Sequence, residues 1–188
     1  MLALHGDSLE DGTAPWGKLE VIPGQRLAEL LPGWIVRDYA SAAETLPEAY
    51  GETVYVGGKP LQAGRLKYDP MPEHIAASDA THMFFRYGGA DCLLGTPLPR
   101  FSELRTRTVE LAQARNKTVL LAGVYDHPHW GFTAYTDAAR EVSARTGATW
   151  IEMPAIRYPE DLTDDLHPTQ EMSDRWCQAI AEAVRAAA

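Results

Sequence analysis

The stretch Leu2-Ala3-Leu4-His5-Gly6-Asp7-Ser8-Leu9 opens the chain with an apolar run that stops at a glycine and passes directly into a serine. A short, continuous apolar run bounded this way reads as a buried strand, and Gly6 permits unusual backbone angles at its end. The same unit recurs along the chain. Leu27, Leu30 and Leu31 mark a helix around residues 25–31, stopped by Pro32-Gly33. Trp34-Ile35-Val36 is the second predicted strand and Met83 to Tyr87 the third, ending at Gly88-Gly89. A helix from about Pro99 to Arg115 leads to a fourth strand, Thr118 to Ala122. Ala134 to Arg145 is helical with Gly147 as its C-terminal cap, and Ala148 to Met153 is the fifth strand. A last helix is predicted to begin at Pro168, with an apolar stripe of Met172, Trp176, Ile180 and Val184. Alternating strands and helices, with short apolar strands, imply a single doubly wound α/β domain: about five parallel strands flanked by helices on both faces. In such a sheet, sites lie beyond the carboxyl ends of the strands. Ser8, Ala43, Gly88 to Ala90 and the loops 125–133 and 154–167 all follow strands, so they converge on one rim.

The chain has 188 residues, enough for one domain with a sizeable core, and a formal net charge of −9. An acidic chain without a run of Lys or Arg has no general attraction for nucleic acid or an anionic membrane surface. No apolar stretch approaches membrane-spanning length. Met1 is followed almost at once by the first strand, so no signal peptide is expected and a cytoplasmic location is the default. Cys92 and Cys177 show no metal-ligand spacing and read as two reduced thiols.

Near the other end the chain reads Asp164-Asp165-Leu166-His167-Pro168-Thr169. A serine after a strand is ordinarily a turn residue or helix cap, and a lone histidine is ordinarily structural. A nucleophilic serine needs a base within hydrogen-bond reach. His167 is the candidate base. Asp164, three residues earlier, can fold back onto one imidazole nitrogen and leave the other facing the nucleophile. Asp161 and Asp165 compete for the same role on spacing alone.

Taken together, Gly6-Asp7-Ser8-Leu9 and the Asp164-x-x-His167 pair resemble the two ends of the GDSL, or SGNH, hydrolase family. The resemblance runs from Gly6 to the last helix and favours Asp164 as the acid. It implies an acyl-enzyme mechanism with Ser8 as nucleophile, His167 as base and Asp164 as its orienting partner, and it implies no cofactor and no metal. A family segment of the form N-x-x-x-S-G-x-T corresponds to Asp38-Tyr39-Ala40-Ser41-Ala42-Ala43-Glu44-Thr45, placing Ala43 where the family has an oxyanion-hole glycine. The family's G-G-N-D corresponds to Gly88-Gly89-Ala90-Asp91, placing Ala90 where the family has an asparagine donor. The amides of Ser8 and Ala43 remain as oxyanion donors, whereas Ala90 has no side-chain donor. Loss of one such donor costs about 10²- to 10³-fold in turnover. Three accounts of Ala90 compete: a disabling substitution, a replacement donor such as Tyr39, Ser41 or water, or a domain that has kept binding and lost chemistry.

The loop Tyr125-Asp126-His127-Pro128-His129-Trp130-Gly131-Phe132 is dense in polar and aromatic groups. His127 and His129 with Asp126 offer part of a metal-ligand set, but the sequence supplies no third partner for the histidine pair. In the family the corresponding loop borders the substrate pocket, which makes His129, Trp130 and Phe132 pocket candidates; packing beneath the loop is the competing role. His5 and His82 read as structural, and Arg86 is expected to pair with Asp91. Residues 50–78 exceed what a minimal family member needs and are expected to form an insertion or lid near the pocket, with a hairpin over residues 53–60. The function implied is hydrolysis of a small-molecule or carbohydrate ester, O-acetylated carbohydrate or a small acyl ester being preferred. The alternative is a non-catalytic binding module on the same fold.

Overall fold

The computed structural model describes residues 1–14, 17–56, 59–60 and 68–188. In chain order the elements are β1 (Leu2–Gly6), α1 (Ser8–Asp11), β2 (Thr13–Ala14), β3 (Gly17–Lys18), α2 (Pro23–Leu30), β4 (Val36–Asp38), α3 (Leu46–Ala49), β5 (Tyr55–Val56) and β6 (Lys59–Pro60). They continue with α4 (Met71–Ala77), β7 (His82–Arg86), α5 (Gly89–Leu94), α6 (Leu98–Gln113), β8 (Thr118–Leu121), α7 (Phe132–Thr146), β9 (Thr149–Trp150) and α8 (Gln170–Ala186).

Five strands form one sheet in the order β4-β1-β7-β8-β9, and every pairing is parallel. The chain moves outward to β4 on one side of β1 and to β7 on the other. The strand order therefore reverses at β1, and a crevice opens beyond the carboxyl ends of β1 and β7. Ser8 and Gly88 follow those two ends directly.

The two-residue period of the strands divides the core into two layers. Leu2, Leu4, Phe84 and Leu120 pack against Leu27 and Leu31 at the α2 end and Ile180 and Val184 of α8. Ala3, Met83, Phe85, Val119 and Leu121 pack on the opposite face with Phe101, Leu104 and Val109 of α6 and Val142 of α7. A third cluster, Leu9, Val124, Tyr125, Phe132, Met172 and Trp176, sits beyond the strand ends, beneath the rim. The stripe Met172, Trp176, Ile180 and Val184 is buried along its whole length, and Gly147 caps α7 at φ 72°.

Several boundaries differ from the sequence reading. The second strand is Val36–Asp38, because pairing with β1 begins only after the Leu2 amide has bonded the Ile35 carbonyl. The fifth strand is only Thr149–Trp150, at the outer edge of the sheet where just one neighbour can pair with it. The last helix starts at Gln170. Thr169 is its cap, accepting the Met172 amide, while Pro168 bridges back to Leu162. The short helix α5 lies in a stretch for which the sequence pattern assigned no element.

In the 50–78 segment, β5 and β6 pair antiparallel, and residues 57–58 and 61–67 lie outside the described residues. Tyr55 on the hairpin is 63% exposed. Helix α4 is different: it buries Met71 and Ile75 in the core layer shared with α6. The last part of the segment is thus a core element, whereas Tyr55 and Val56 on the hairpin side are exposed.

Leu120 is fully buried on the interior strand β8, whereas Ile35, a side chain of the same size, is 61% exposed. Leu120→Ala should lower the unfolding free energy by about 2–5 kcal/mol, and Ile35→Ala by no more than about 0.5 kcal/mol. Urea unfolding of both variants checks the contrast.

Candidate active site

Gly6 ends β1 where the chain passes tightly against β7. A Cβ there would come within 2.6 Å of the Arg86 carbonyl oxygen. The next residue, Asp7, is the N-cap of α1: its Oδ1 accepts the Leu9 amide at 3.1 Å. Its Oδ2 accepts the Ala90 amide at 3.1 Å from the turn after β7. Burial raises the Asp7 pKa, and the two amides work against that rise. One carboxylate thus ties the Ser8 turn to the Gly88–Ala90 turn.

Ser8 is the first residue of α1. The His167 Nε2 lies 3.0 Å from Ser8 Oγ, and the His167 Nδ1 lies 2.8 Å from Asp164 Oδ2 and 3.0 Å from Oδ1. Asp164 also accepts the His167 amide at 2.7 Å and the Leu166 amide at 3.2 Å. Burial alone would raise the Asp164 pKa; the hydrogen bonds and charge from His167 outweigh it and hold the group below its ordinary value. An ionised Asp164 accepts from Nδ1–H, which leaves Nε2 free to accept from the serine hydroxyl.

The other acids are otherwise engaged. Asp161 accepts from the Arg157 amide and guanidinium. The Asp165 carboxylate accepts from the Tyr158 hydroxyl.

After β4, the Ser41 amide bonds the Gly6 carbonyl at 3.0 Å, which docks this turn beside Ser8. Ala43 then adopts φ 57°. This left-handed backbone costs a side-chain-bearing residue about 1–2 kcal/mol, so Ala43 keeps the conformation a glycine would adopt freely. Thr45 caps α3 through a reciprocal capping box with Glu48. The Leu46 amide donates to Asp91 at 3.0 Å. Asp91, on α5, therefore joins the Ala43 turn to the Ala90 turn. It is fully buried, and desolvation pushes its pKa up to about 7 against the pull of Thr96 and the Leu46 amide.

Arg86 does not pair with Asp91. Its Nε lies 3.3 Å from Glu10 Oε2, and its guanidinium lies 4.1 Å from the centre of the Trp176 ring. It emerges from β7 toward α1 and α8, whereas Asp91 projects toward α3. Burial pushes the Glu10 pKa up to about 8, with Arg86 pulling it down. A second buried arginine, Arg105, donates to the carbonyls of Phe85 and Ala122 at 2.8 and 3.0 Å, joining the ends of β7 and β8.

Ser8 and His167 open onto a pocket of about 430 Å³. Its wall includes Ala43, Ala90 and Phe132 from the sequence candidates, together with Leu9, Leu93, Leu94, Val124 and Leu166. His129 and Trp130 are not part of that wall. They are exposed on the outer loop, Trp130 at 43%. The leucines of α5 were missed by the sequence reading, although Ala90, Leu93 and Leu94 have the i, i+3, i+4 spacing of one helical face. Among the described residues, no group of three His, Cys, Asp or Glu is arranged to hold a metal ion.

No protein-family model and no curated protein matches the sequence. Solved structures do. A lipase/acylhydrolase from Enterococcus faecalis superposes with a TM-score of 0.72 at 16% identity, covering 99% of this chain and 95% of that one. A carbohydrate acetylesterase from Sinorhizobium meliloti gives 0.70 at 14% identity, covering 100% and 99%. A member of the lipolytic G-D-S-L family from Veillonella parvula gives 0.67 at 14% identity, covering 98% and 97%. The chain has the SGNH-hydrolase fold. The likeness spans nearly the whole chain and shows the fold, and the chemistry must be argued from this chain's own residues.

Asp91 supplies a test of the buried layer. Its folded pKa of about 7 lies above the ordinary value of 3.8. Its contribution to stability is therefore full below pH 4 and is lost as pH rises through 7. Asp91→Asn keeps an acceptor for the Leu46 amide and has no proton to lose. From pH 4 to pH 8 the difference in unfolding free energy should move in favour of Asp91→Asn by up to about 4 kcal/mol. Parallel chemical denaturation at the two pH values measures it.

Proposed function

We propose that this chain is a serine ester hydrolase working through an acyl-enzyme. The observation that carries the reading is the line of hydrogen bonds from Asp164 through His167 to Ser8 Oγ at the wall of an apolar pocket. In the proposed cycle, His167 Nε2 takes the Ser8 proton as Oγ attacks the ester carbonyl. The same nitrogen then gives the proton to the leaving alcohol and later activates water for deacylation. Asp164 fixes the ring tautomer and stabilises the imidazolium. The amides of Ser8 and Ala43 receive the oxyanion. The left-handed backbone of Ala43 supports its part, since it retains the turn that a glycine at this position would form.

Ala90 leaves the oxyanion site one donor short. Its own amide is taken by Asp7, and the residue lines the pocket without a side-chain donor. The consequence is a slower enzyme rather than an inactive one, because nucleophile, base and two amides remain. The binding-module alternative rests on this same position.

For the substrate, the named neighbours span acyl hydrolases and a carbohydrate acetylesterase. O-acetylated carbohydrate or a small acyl ester is the class proposed. The apolar wall of Leu93, Leu94, Val124 and Phe132 favours seating the acyl group there, with room for more than acetyl.

Steady-state kinetics on p-nitrophenyl esters tests all three parts. Ser8→Ala should lose at least about 10³-fold in kcat. Equal turnover by the two proteins, or none by either, returns the chain to the binding-module reading. Ala90→Asn should raise kcat about 10- to 1000-fold with little change in KM, because the added bond forms chiefly in the transition state. Along a series of lengthening acyl chains, kcat/KM should rise by up to about 4-fold for each methylene that the pocket buries. A maximum at acetate would exclude the acyl-seat assignment.

A further inference from the structure

The loop after β8 carries a histidine that neither the pocket nor a metal site uses. His127 is 3% exposed. Its Nδ1 accepts the His129 amide at 3.1 Å, so that nitrogen carries no proton. Its Nε2 lies 2.8 Å from the Asp165 carbonyl oxygen, which can only accept, so Nε2 carries the proton. The backbone on either side therefore assigns one neutral tautomer. Two residues earlier, the Tyr125 hydroxyl donates to the Leu166 carbonyl.

These two carbonyls belong to the two residues between Asp164 and His167. The turn is thus held from both sides. On the inside, the Asp164 carboxylate gathers the Leu166 and His167 amides. On the outside, Tyr125 and His127 hold the carbonyls. The turn needs holding, since Asp165 sits at φ 66°, a region that side-chain-bearing residues disfavour.

The geometry points to Tyr125 and His127 as positioning residues that fix the turn carrying Asp164 and His167, and so keep the His167 ring within reach of Ser8 Oγ. The catalytic consequence rests on the hydrolase reading above; the holding of the turn does not. Neither residue need touch a substrate through these contacts. A donor lost here frees a carbonyl on the far side of the turn and lets the His167 ring drift, and a misplacement of about 1 Å at such a group is worth about 10²-fold in rate.

The experiment compares the parent chain with Tyr125→Phe, His127→Leu and His127→Gln. Tyr125→Phe keeps the ring that stacks on Trp176 and meets Phe132 edge-on, and removes only the hydroxyl. His127→Gln keeps an N–H donor. Melting temperature establishes folding, and should His127→Leu fail to fold, Tyr125→Phe carries the test alone. Amide exchange at Leu166 and His167 should be about tenfold or more faster in Tyr125→Phe and His127→Leu. On an activated ester, kcat should fall about 10- to 100-fold with KM within about threefold, and His127→Gln should recover most of both readouts. Parental exchange rates in Tyr125→Phe and His127→Leu overturn the proposal. So does a parental kcat in both variants of an active enzyme. If the parent chain shows no esterase activity, the hydrolase reading fails, and the exchange rates still decide whether these two side chains hold the turn.

Discussion

The rim of this molecule depends on the Asp7 carboxylate. One oxygen caps the four-residue helix that begins with Ser8, and the other takes the Ala90 amide. Such a short helix cannot hold its own shape, because nucleation costs more than one turn returns. Asp7 supplies the missing constraint by bonding the helix start and fastening the helix to the neighbouring strand end. The bridge is buried, where an ionised carboxylate is costly unless it is hydrogen-bonded. Its two amide donors are therefore what make the position tenable, and losing either turn would leave a carboxylate stranded in the interior.

Around this bridge lies a layer of buried titratable groups. Glu10, Arg86 and Asp91 are buried within a few residues of strand ends, and the buried Arg105 reaches the ends of β7 and β8 from α6. Buried charges of this kind are weak contributors to net stability, because desolvation consumes much of the attraction. Here Arg86, Asp91 and Arg105 are tied to backbone or an aromatic face, and Glu10 to Arg86. Arg105 draws the Phe85 and Ala122 carbonyls together. Arg86 lies over Trp176 with Glu10 beside it. Asp91 fastens the Ala43 turn. The layer orients the turns that converge above the sheet, and the apolar clusters on both faces stabilise the sheet itself.

Much of the architecture was legible from pattern alone. Leu2 to Leu4, Met83 to Phe85 and Val119 to Leu121 read as strands because each is short, apolar and bounded, and the α8 stripe read as helix because its period is 3.6. Ser8, His167 and Asp164 were singled out by the resemblance of Gly6-Asp7-Ser8-Leu9 and Asp164-x-x-His167 to the two ends of a known family, since spacing alone left Asp161 and Asp165 as competing acids. Leu93 and Leu94 went unread, since a six-residue helix offers too short a window for periodicity. Arg86 was misassigned for a different reason. Its partner is chosen by which face of β7 it leaves and by the ring of Trp176 from the last helix, and neither is encoded near Arg86.

The sequence by itself determined the alternation of strands and helices and several of the glycines that stop them. These follow from local sterics and from hydrophobic period. Tertiary structure alone decided that the Ser8 hydroxyl and the His167 ring, 159 positions apart, lie 3.0 Å from each other. It also decided that Ala43 adopts a glycine's backbone, that Ala90 spends its amide on Asp7, and that His127 reaches the Asp165 carbonyl. The physical reason is the same in each case. Parallel pairing carries strand ends from distant parts of the chain to one rim, and a polar group buried there takes whichever partner the packing brings within bonding distance.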